Sequence, residues 1–245
     1  MNSKKIDCHV FYGRKARQLI KLINHLSGKK TIIVCGHYGA GKTNVSVNLS
    51  IELKKQAGLV YTLVDFDTVN PYFRSADNIK DLQRHGIDFI VPPFANSNLD
   101  IPYLPASIYS IFAGGGKNAV FDVGGDDNGA TALGMFAEKI KKTDYEMIYV
   151  ANKYRKQTNK PEAAAKLAYD IEKNSKLKIT SVLNNSNIGG LTSKKEILDS
   201  IDYAKNISGL LNVPLLGTAS MTQFDLFEKT GHNIFQMDNY TKKLF

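Results

Sequence analysis

Short aliphatic and β-branched runs alternate along the chain with longer stretches whose apolar residues recur every three or four positions. Thr31–Cys35 (TIIVC) reads as a strand, and a glycine-rich turn ends it. Thr43–Gln56 reads as a helix, with Val47, Leu49, Ile51 and Leu53 among its apolar positions. Val60–Phe66 predicts a second strand, Phe89–Val91 a third and Ala119–Val123 a fourth. Met147–Ala151, Ile179–Leu183 and Val213–Leu216 supply three more, with helical stretches such as Ala130–Lys141 and Pro161–Asn174 between them. Strands that alternate with helices predict an α/β fold, a mostly parallel sheet with helices on both faces. Gly13–Ser27, with Ala16, Leu19, Ile20, Leu22 and Ile23, reads as an extra amphipathic helix ahead of the first strand. Residues 1–29 are therefore expected to form an N-terminal helical extension to a domain at 30–245.

The turn after the first strand carries the chemistry. Gly36-His37-Tyr38-Gly39-Ala40-Gly41-Lys42-Thr43 matches GxxxxGK[ST]. It stands between a strand and a helix, the setting in which that pattern cradles phosphate. Glycine permits backbone angles and close approaches that a side chain would block. The loop N–H groups and the helix N-terminus then face an anion. Lys42 would place its ammonium between terminal phosphates, and the Thr43 hydroxyl would ligate Mg²⁺, which keeps several waters. Gly36, Gly39, Ala40, Gly41, Lys42, Thr43 and Asn44 are the nucleotide contacts expected here, within a P-loop NTPase fold built on a twisted sheet.

Such a loop needs carboxylates to hold the metal and position water. Two clusters stand at predicted strand ends, Asp65-Phe66-Asp67 and Asp122 in Phe121-Asp122-Val123-Gly124-Gly125. Ligands of parallel sheets sit at the carboxyl ends of strands, so both clusters are expected to converge on the loop. Asp67 and Asp122 are thus the expected metal and catalytic carboxylates beside Lys42. Asp126 and Asp127 precede an apolar run and read as a helix start. Asn152-Lys153-Tyr154-Arg155 is similar to the guanine-reading NKxD pattern but lacks its aspartate, which argues for ATP over GTP. Asn70-Pro71-Tyr72-Phe73-Arg74 reads as a loop, with Arg74 a candidate phosphate contact.

Composition narrows the setting. The 245 residues suffice for one core, and no apolar run approaches the roughly 18 residues of a membrane span. Met1–Asp7 is polar and unlike a secretory leader, and the two cysteines, Cys8 and Cys35, form no CxxC pair. A reducing, cytoplasmic location is expected. The net charge of +9 comes from scattered lysine pairs rather than a basic block with aromatics, which argues against nucleic acid as a partner.

These motifs resemble the MinD/ParA-like ATPases, the deviant-Walker, SIMIBI-class branch of P-loop proteins. The resemblance runs from Lys30 to about Ser220. It rests on Gly36–Thr43, Val64-Asp65-Phe66-Asp67, Phe121-Asp122-Val123-Gly124-Gly125, Val182-Leu183-Asn184-Asn185 and Val213-Pro214-Leu215-Leu216-Gly217. It implies that Asp67 serves the first switch and the attacking water. It implies further that Asp122 leads into the second switch and that Asn184, or alternatively Asn185, reads the purine edge. One departure stands out: His37 occupies the position of the family's signature lysine, which in an ATP-sandwiched homodimer reaches the partner's nucleotide. Dimer-dependent hydrolysis is placed in doubt, nucleotide binding is not. No cysteine pair for the family's iron–sulfur branch is present. Gly231 and Asn233 interrupt the C-terminal pattern that in some relatives makes a membrane-binding helix.

The expected function is that of a Mg²⁺-dependent ATP-binding protein, a slow ATPase acting as a nucleotide-controlled switch for a protein partner. The alternatives are a small-molecule kinase or ligase, with an acceptor pocket near Pro92-Pro93-Phe94 and Tyr103, and a non-hydrolysing nucleotide-binding module.

Overall fold

The computed structural model describes residues 21–67, 80, 82–90, 106–113, 117–125, 127–221 and 232–241. Its centre is β1, Thr31–Cys35, buried at every position. A strand covered on both faces needs a continuous apolar run rather than an alternating one, and TIIVC supplies it. β2 (Thr62–Phe66), β3 (Phe89–Ile90), β4 (Ala119–Val123), β5 (Tyr145–Ala151), β6 (Ser181–Asn184), β7 (Leu215–Ser220) and β8 (Ile234–Gln236) complete one sheet, in the order β3-β2-β4-β1-β5-β6-β7-β8. All the described pairings are parallel. With a phosphate-loop sequence leaving its central strand, this is the α/β P-loop NTPase fold.

The helices divide between the two faces. α1 (Lys42–Ala57) lies on the Ile32 and Val34 side of β1. α2 (Ala106–Ile111), α3 (Asp127–Gly134), α4 (Ala137–Ile140), α5 (Pro161–Ser175) and α6 (Lys194–Leu211) contribute to the cluster on the Ile33 and Cys35 side. α1 ends at Gly58, whose left-handed backbone (φ 65°) lets its N–H reach the Leu53 and Lys54 carbonyls. α6 begins at Ser193 in a reciprocal capping box with Glu196. Residues 21–27 are helical, and Leu22, Ile23 and Leu26 pack on the α1 face. The Tyr61 hydroxyl donates to the Leu26 and Lys29 carbonyls, at 3.2 and 2.7 Å, and ties the end of this segment to the sheet.

Several elements differ from the sequence pattern for identifiable reasons. The single helix expected over Ala130–Lys141 is two, α3 and α4, broken around Met135 and Phe136. The break drops the Phe136 ring among Phe66, Phe112 and Tyr109, at centroid distances of 6.1, 5.8 and 5.3 Å. Gly134 lies so close to the end of α5 that a Cβ would sit 2.7 Å from the Asn174 carbonyl oxygen. β7 runs on through Gly217 to Ser220, past the Leu216 expected as its end. Gly217 (φ 151°) is what allows β8 to pair there, since a Cβ would stand 2.6 Å from the Asn233 oxygen. Among the described residues no helix is long and apolar enough to cross a membrane.

Candidate functional site

The loop from Gly36 to Gly41 leaves the C-terminal end of β1, with β4 on one side and β5 on the other. Gly36, at φ 143°, passes so close to β5 that a Cβ would lie 2.4 Å from the Val150 oxygen. Gly41 (φ 86°) starts α1 with no side-chain cap, and no acidic residue occupies the helix's first turn. The positive end of a 16-residue helix is thus left to an external anion. Lys42 is only 5% exposed, and its ammonium donates to the His37 carbonyl at 3.2 Å.

Asp122, on β4, faces this helix start. Its carboxylate accepts a hydrogen bond from the Ser46 hydroxyl at 3.4 Å and has the Thr43 hydroxyl nearby. Its Oδ2 is buried and has no protein partner. Burial raises the Asp122 pKa to about 6; the nearby Thr43 hydroxyl and the Lys42 charge act against the rise, and the Asp67 charge adds to it. A buried carboxylate oxygen without a partner is costly and calls for a cation or its water shell. A donor set of one hydroxyl and one carboxylate would suit Mg²⁺, which is held by few protein ligands. No group of three or more His, Cys, Asp or Glu side chains able to hold a metal occurs among the described residues.

Asp65 on β2 is level with Asp122 on β4, and the Asp67 N–H donates to its Oδ1 at 3.0 Å. The two expected acidic clusters therefore do meet at one end of neighbouring strands. Gly125 lies against the phosphate loop, where a Cβ would be 2.3 Å from the Tyr38 nitrogen. The Gly124 N–H is engaged by the Phe66 carbonyl at 3.2 Å. Asp127 opens α3 as its pattern suggests, whereas Asp126, Asn70–Arg74, Pro92–Phe94, Tyr103 and Gly231 fall outside the described residues.

His37 is turned inward on its own chain. Its ring nitrogens contact the Tyr38 carbonyl, at 2.7 Å, and the Gln157 side-chain oxygen. Gln157 belongs to the β5–α5 connection, which also lays the Arg155 guanidinium against Gly39, within 3.1 Å of where a Cβ would be.

Beside the loop runs a cavity of about 540 Å³, whose lining includes Gly39, Gly41, Asn44, Arg155, Asn185, Asn187, Met221, Met237, Asn239 and Thr241. A smaller one of about 270 Å³ shares Asn185, Asn187, Met221 and Asn239 with it. Of the two asparagines expected at the purine, Asn185 lines both cavities and also donates to the Ala40 carbonyl at 2.7 Å. Asn184 lies inside the fold at 0% exposure, away from these walls. Its amide donates to Ser200 and Thr218 (2.8 and 3.0 Å) and its oxygen accepts from Ser186. Those bonds join β6, α6 and β7. Asn184→Ala should therefore lower unfolding stability by about 2 kcal/mol, the cost of stranding buried polar partners, without altering any ATP-to-GTP preference. Denaturant unfolding and nucleotide titration of that variant check the two halves separately.

Asn152, in the segment similar to NKxD, is likewise engaged: its amide donates to the Asn187 carbonyl at 3.3 Å and its oxygen accepts from the Tyr154 N–H at 3.0 Å. The sequence reading missed Asn187, Ser46 and the residues 237–241. A signal for Asn187 was present in the asparagine-rich turn Asn184-Asn185-Ser186-Asn187.

Neither a protein-family profile nor a curated protein sequence matches the chain. Solved structures of similar shape exist at low identity. A nucleotide-binding protein from Archaeoglobus fulgidus in complex with ADP is 17% identical over 82% of this chain and 85% of its own, with a TM-score of 0.48. The 54 kDa signal recognition particle protein of Aeropyrum pernix K1, in complex with GDP, is 16% identical over 82% of this chain and 46% of its own, with a TM-score of 0.49. The signal recognition particle receptor FtsY of Elizabethkingia anophelis is 18% identical over 92% and 71%, with a TM-score of 0.47.

Proposed function

We propose that this chain is a Mg²⁺-dependent ATP-binding protein that hydrolyses ATP slowly and switches a protein partner between two states. The observation that carries the reading is the buried, unpartnered Oδ2 of Asp122 beside Thr43 and Lys42, at the uncapped start of α1. Lys42 and the loop amides would hold the β- and γ-phosphates and stabilise charge as it develops there. Thr43, with Asp122 through water, would hold Mg²⁺, whose role is to neutralise and align the terminal phosphates. Asp67 would orient the attacking water. The segments that follow Asp67 and Asp122 would change with the terminal phosphate, as in other nucleotide switches.

The preference for ATP is drawn from the cavity walls. Asparagines, methionines, serines and threonines, with Tyr154 and Arg155, are among the residues that line them, and none of the described lining residues carries a carboxylate to accept the N1 and N2 hydrogens of guanine. Calorimetric titration with Mg²⁺ should give ATP binding at least tenfold tighter than GTP. Equal affinities would remove the base assignment, and no binding of either would remove the function.

A second reading is favoured by His37. Its contacts with Tyr38 and Gln157 hold it within its own chain, as expected of a module that binds nucleotide without a partner-supplied catalytic cation. Tight ATP binding with no phosphate release, at any protein concentration, would select it.

A further inference from the structure

We infer that residues 237–241 are a closing strap over the nucleoside and that Asn239 on it is a nucleoside-contacting residue. The inference rests on the nucleotide-binding reading above and adds a wall to that site which no motif in the chain announces. The strap leaves β8 and crosses the outer side of α1, where two side chains of that helix hold its backbone. The Asn48 amide donates to the Asp238 carbonyl at 2.9 Å while its oxygen accepts the Asp238 N–H at 2.9 Å, a peptide-like pair of bonds. One turn nearer the phosphate loop, the Asn44 oxygen accepts the Tyr240 N–H at 2.9 Å. Asn44 directly follows Thr43, so the strap is fastened to the first turn of the phosphate-binding helix.

The side chains of the strap divide into anchors and a cavity wall. Met237 is buried and also borders the larger cavity, and the Tyr240 ring meets His85 edge-on at 5.5 Å. Asn239 lines both cavities, as do Asn185 and Asn187, and Thr241 lines the larger. Gly39 and Gly41 also line the larger cavity, so a nucleoside attached to phosphates in the loop has room there, in a cavity that the asparagine turn and the strap both help to line. A volume of about 540 Å³ lies in the ordinary range for small-ligand pockets. The Asn239 side-chain oxygen accepts from the Thr241 hydroxyl at 3.1 Å, which leaves its NH2 group to donate to a base edge or a ribose and its oxygen one further lone pair.

The test compares Mg²⁺–ATP with Mg²⁺–tripolyphosphate, which carries the phosphates without the nucleoside. In the full chain, ATP should slow hydrogen exchange of the Asp238 and Tyr240 amides severalfold, and tripolyphosphate should not. Asn239→Ala and, separately, Asn48→Ala should each weaken ATP by about tenfold, the scale of one polar contact or its tether. Both should leave tripolyphosphate affinity within about twofold of the parent, a shift too small for a lost contact. ATP affinity unchanged in both variants overturns the strap while leaving nucleotide binding in place. Equal losses for both probes overturn it too, because the variants would then act on the phosphate site or the whole fold. A parent chain that binds neither probe overturns the nucleotide reading itself.

Discussion

Lys42→Ala should weaken Mg²⁺–ATP binding by at least a hundredfold, about 2.7 kcal/mol, while leaving the protein folded. In the free protein the Lys42 ammonium is nearly buried and donates to the loop's own His37 carbonyl. That carbonyl is a neutral acceptor, and exchanging it for phosphate oxygens converts an ordinary hydrogen bond into a charge-assisted one. Truncating one partner of such a pair in a desolvated site typically costs about 2–5 kcal/mol, because the other charge stays behind without its counterpart. The loss should be greatest for ATP and smallest for AMP, since the lysine reaches only the outer phosphates. Isothermal calorimetry with the three nucleotides, beside a thermal melt of the variant, separates lost contact from lost fold. Equal affinity of parent and variant for ATP would falsify the phosphate assignment.

The legible part of this molecule in its sequence was the part whose chemistry is local. A strand with apolar residues on both faces, a turn that demands positive φ at Gly36, Gly39 and Gly41, and a helix that starts directly on a lysine all sit within 27 consecutive residues, Thr31 to Ala57. The carboxylates were legible because sheet topology brings strand ends together: β4 lies beside both β1 and β2, which sets Asp122 level with Asp65. The cavity proposed for the nucleoside was not. Its walls come from the β5–α5 connection, the turn after β6, the end of β7 and the strap, and only the tertiary fold unites them. β8 has three residues and borrows its partner through Gly217, too little pattern to separate from a loop. Asn184 and Asn185 look equivalent in a sequence. A single step along the chain puts one into a buried network and the other onto the cavity wall, because consecutive side chains at a strand end point to opposite sides.

Asp122→Asn should make the free protein more stable and the site useless to Mg²⁺. The sign follows from the direction of the shift. The Asp122 carboxyl sits at about 6 in the folded protein against an ordinary 3.8. Between those values the unfolded chain releases its proton while the folded chain keeps it, so stability contributed by this group is intact near pH 4 and falls as pH rises towards 6. Above that the loss is constant, on the order of 3 kcal/mol. Asparagine carries no charge and removes the penalty, so the variant should gain up to that amount at pH 8 and little at pH 4, provided Mg²⁺ and nucleotide are absent. Denaturant unfolding at the two pH values measures the difference. The same penalty is what a divalent cation relieves: an ionised, half-partnered carboxylate under Thr43 is poised for a metal's water shell, at the expense of the free state. In the variant, Mg²⁺ should therefore cease to strengthen ATP binding, and phosphate release should fall at least a hundredfold, the scale of one lost electrostatic element of a catalytic site. A variant that is stabilised but still responds fully to Mg²⁺ would show Asp122 to be a buried acid of the core, and the metal would have to be held from Asp65 or Asp67 across the strand end.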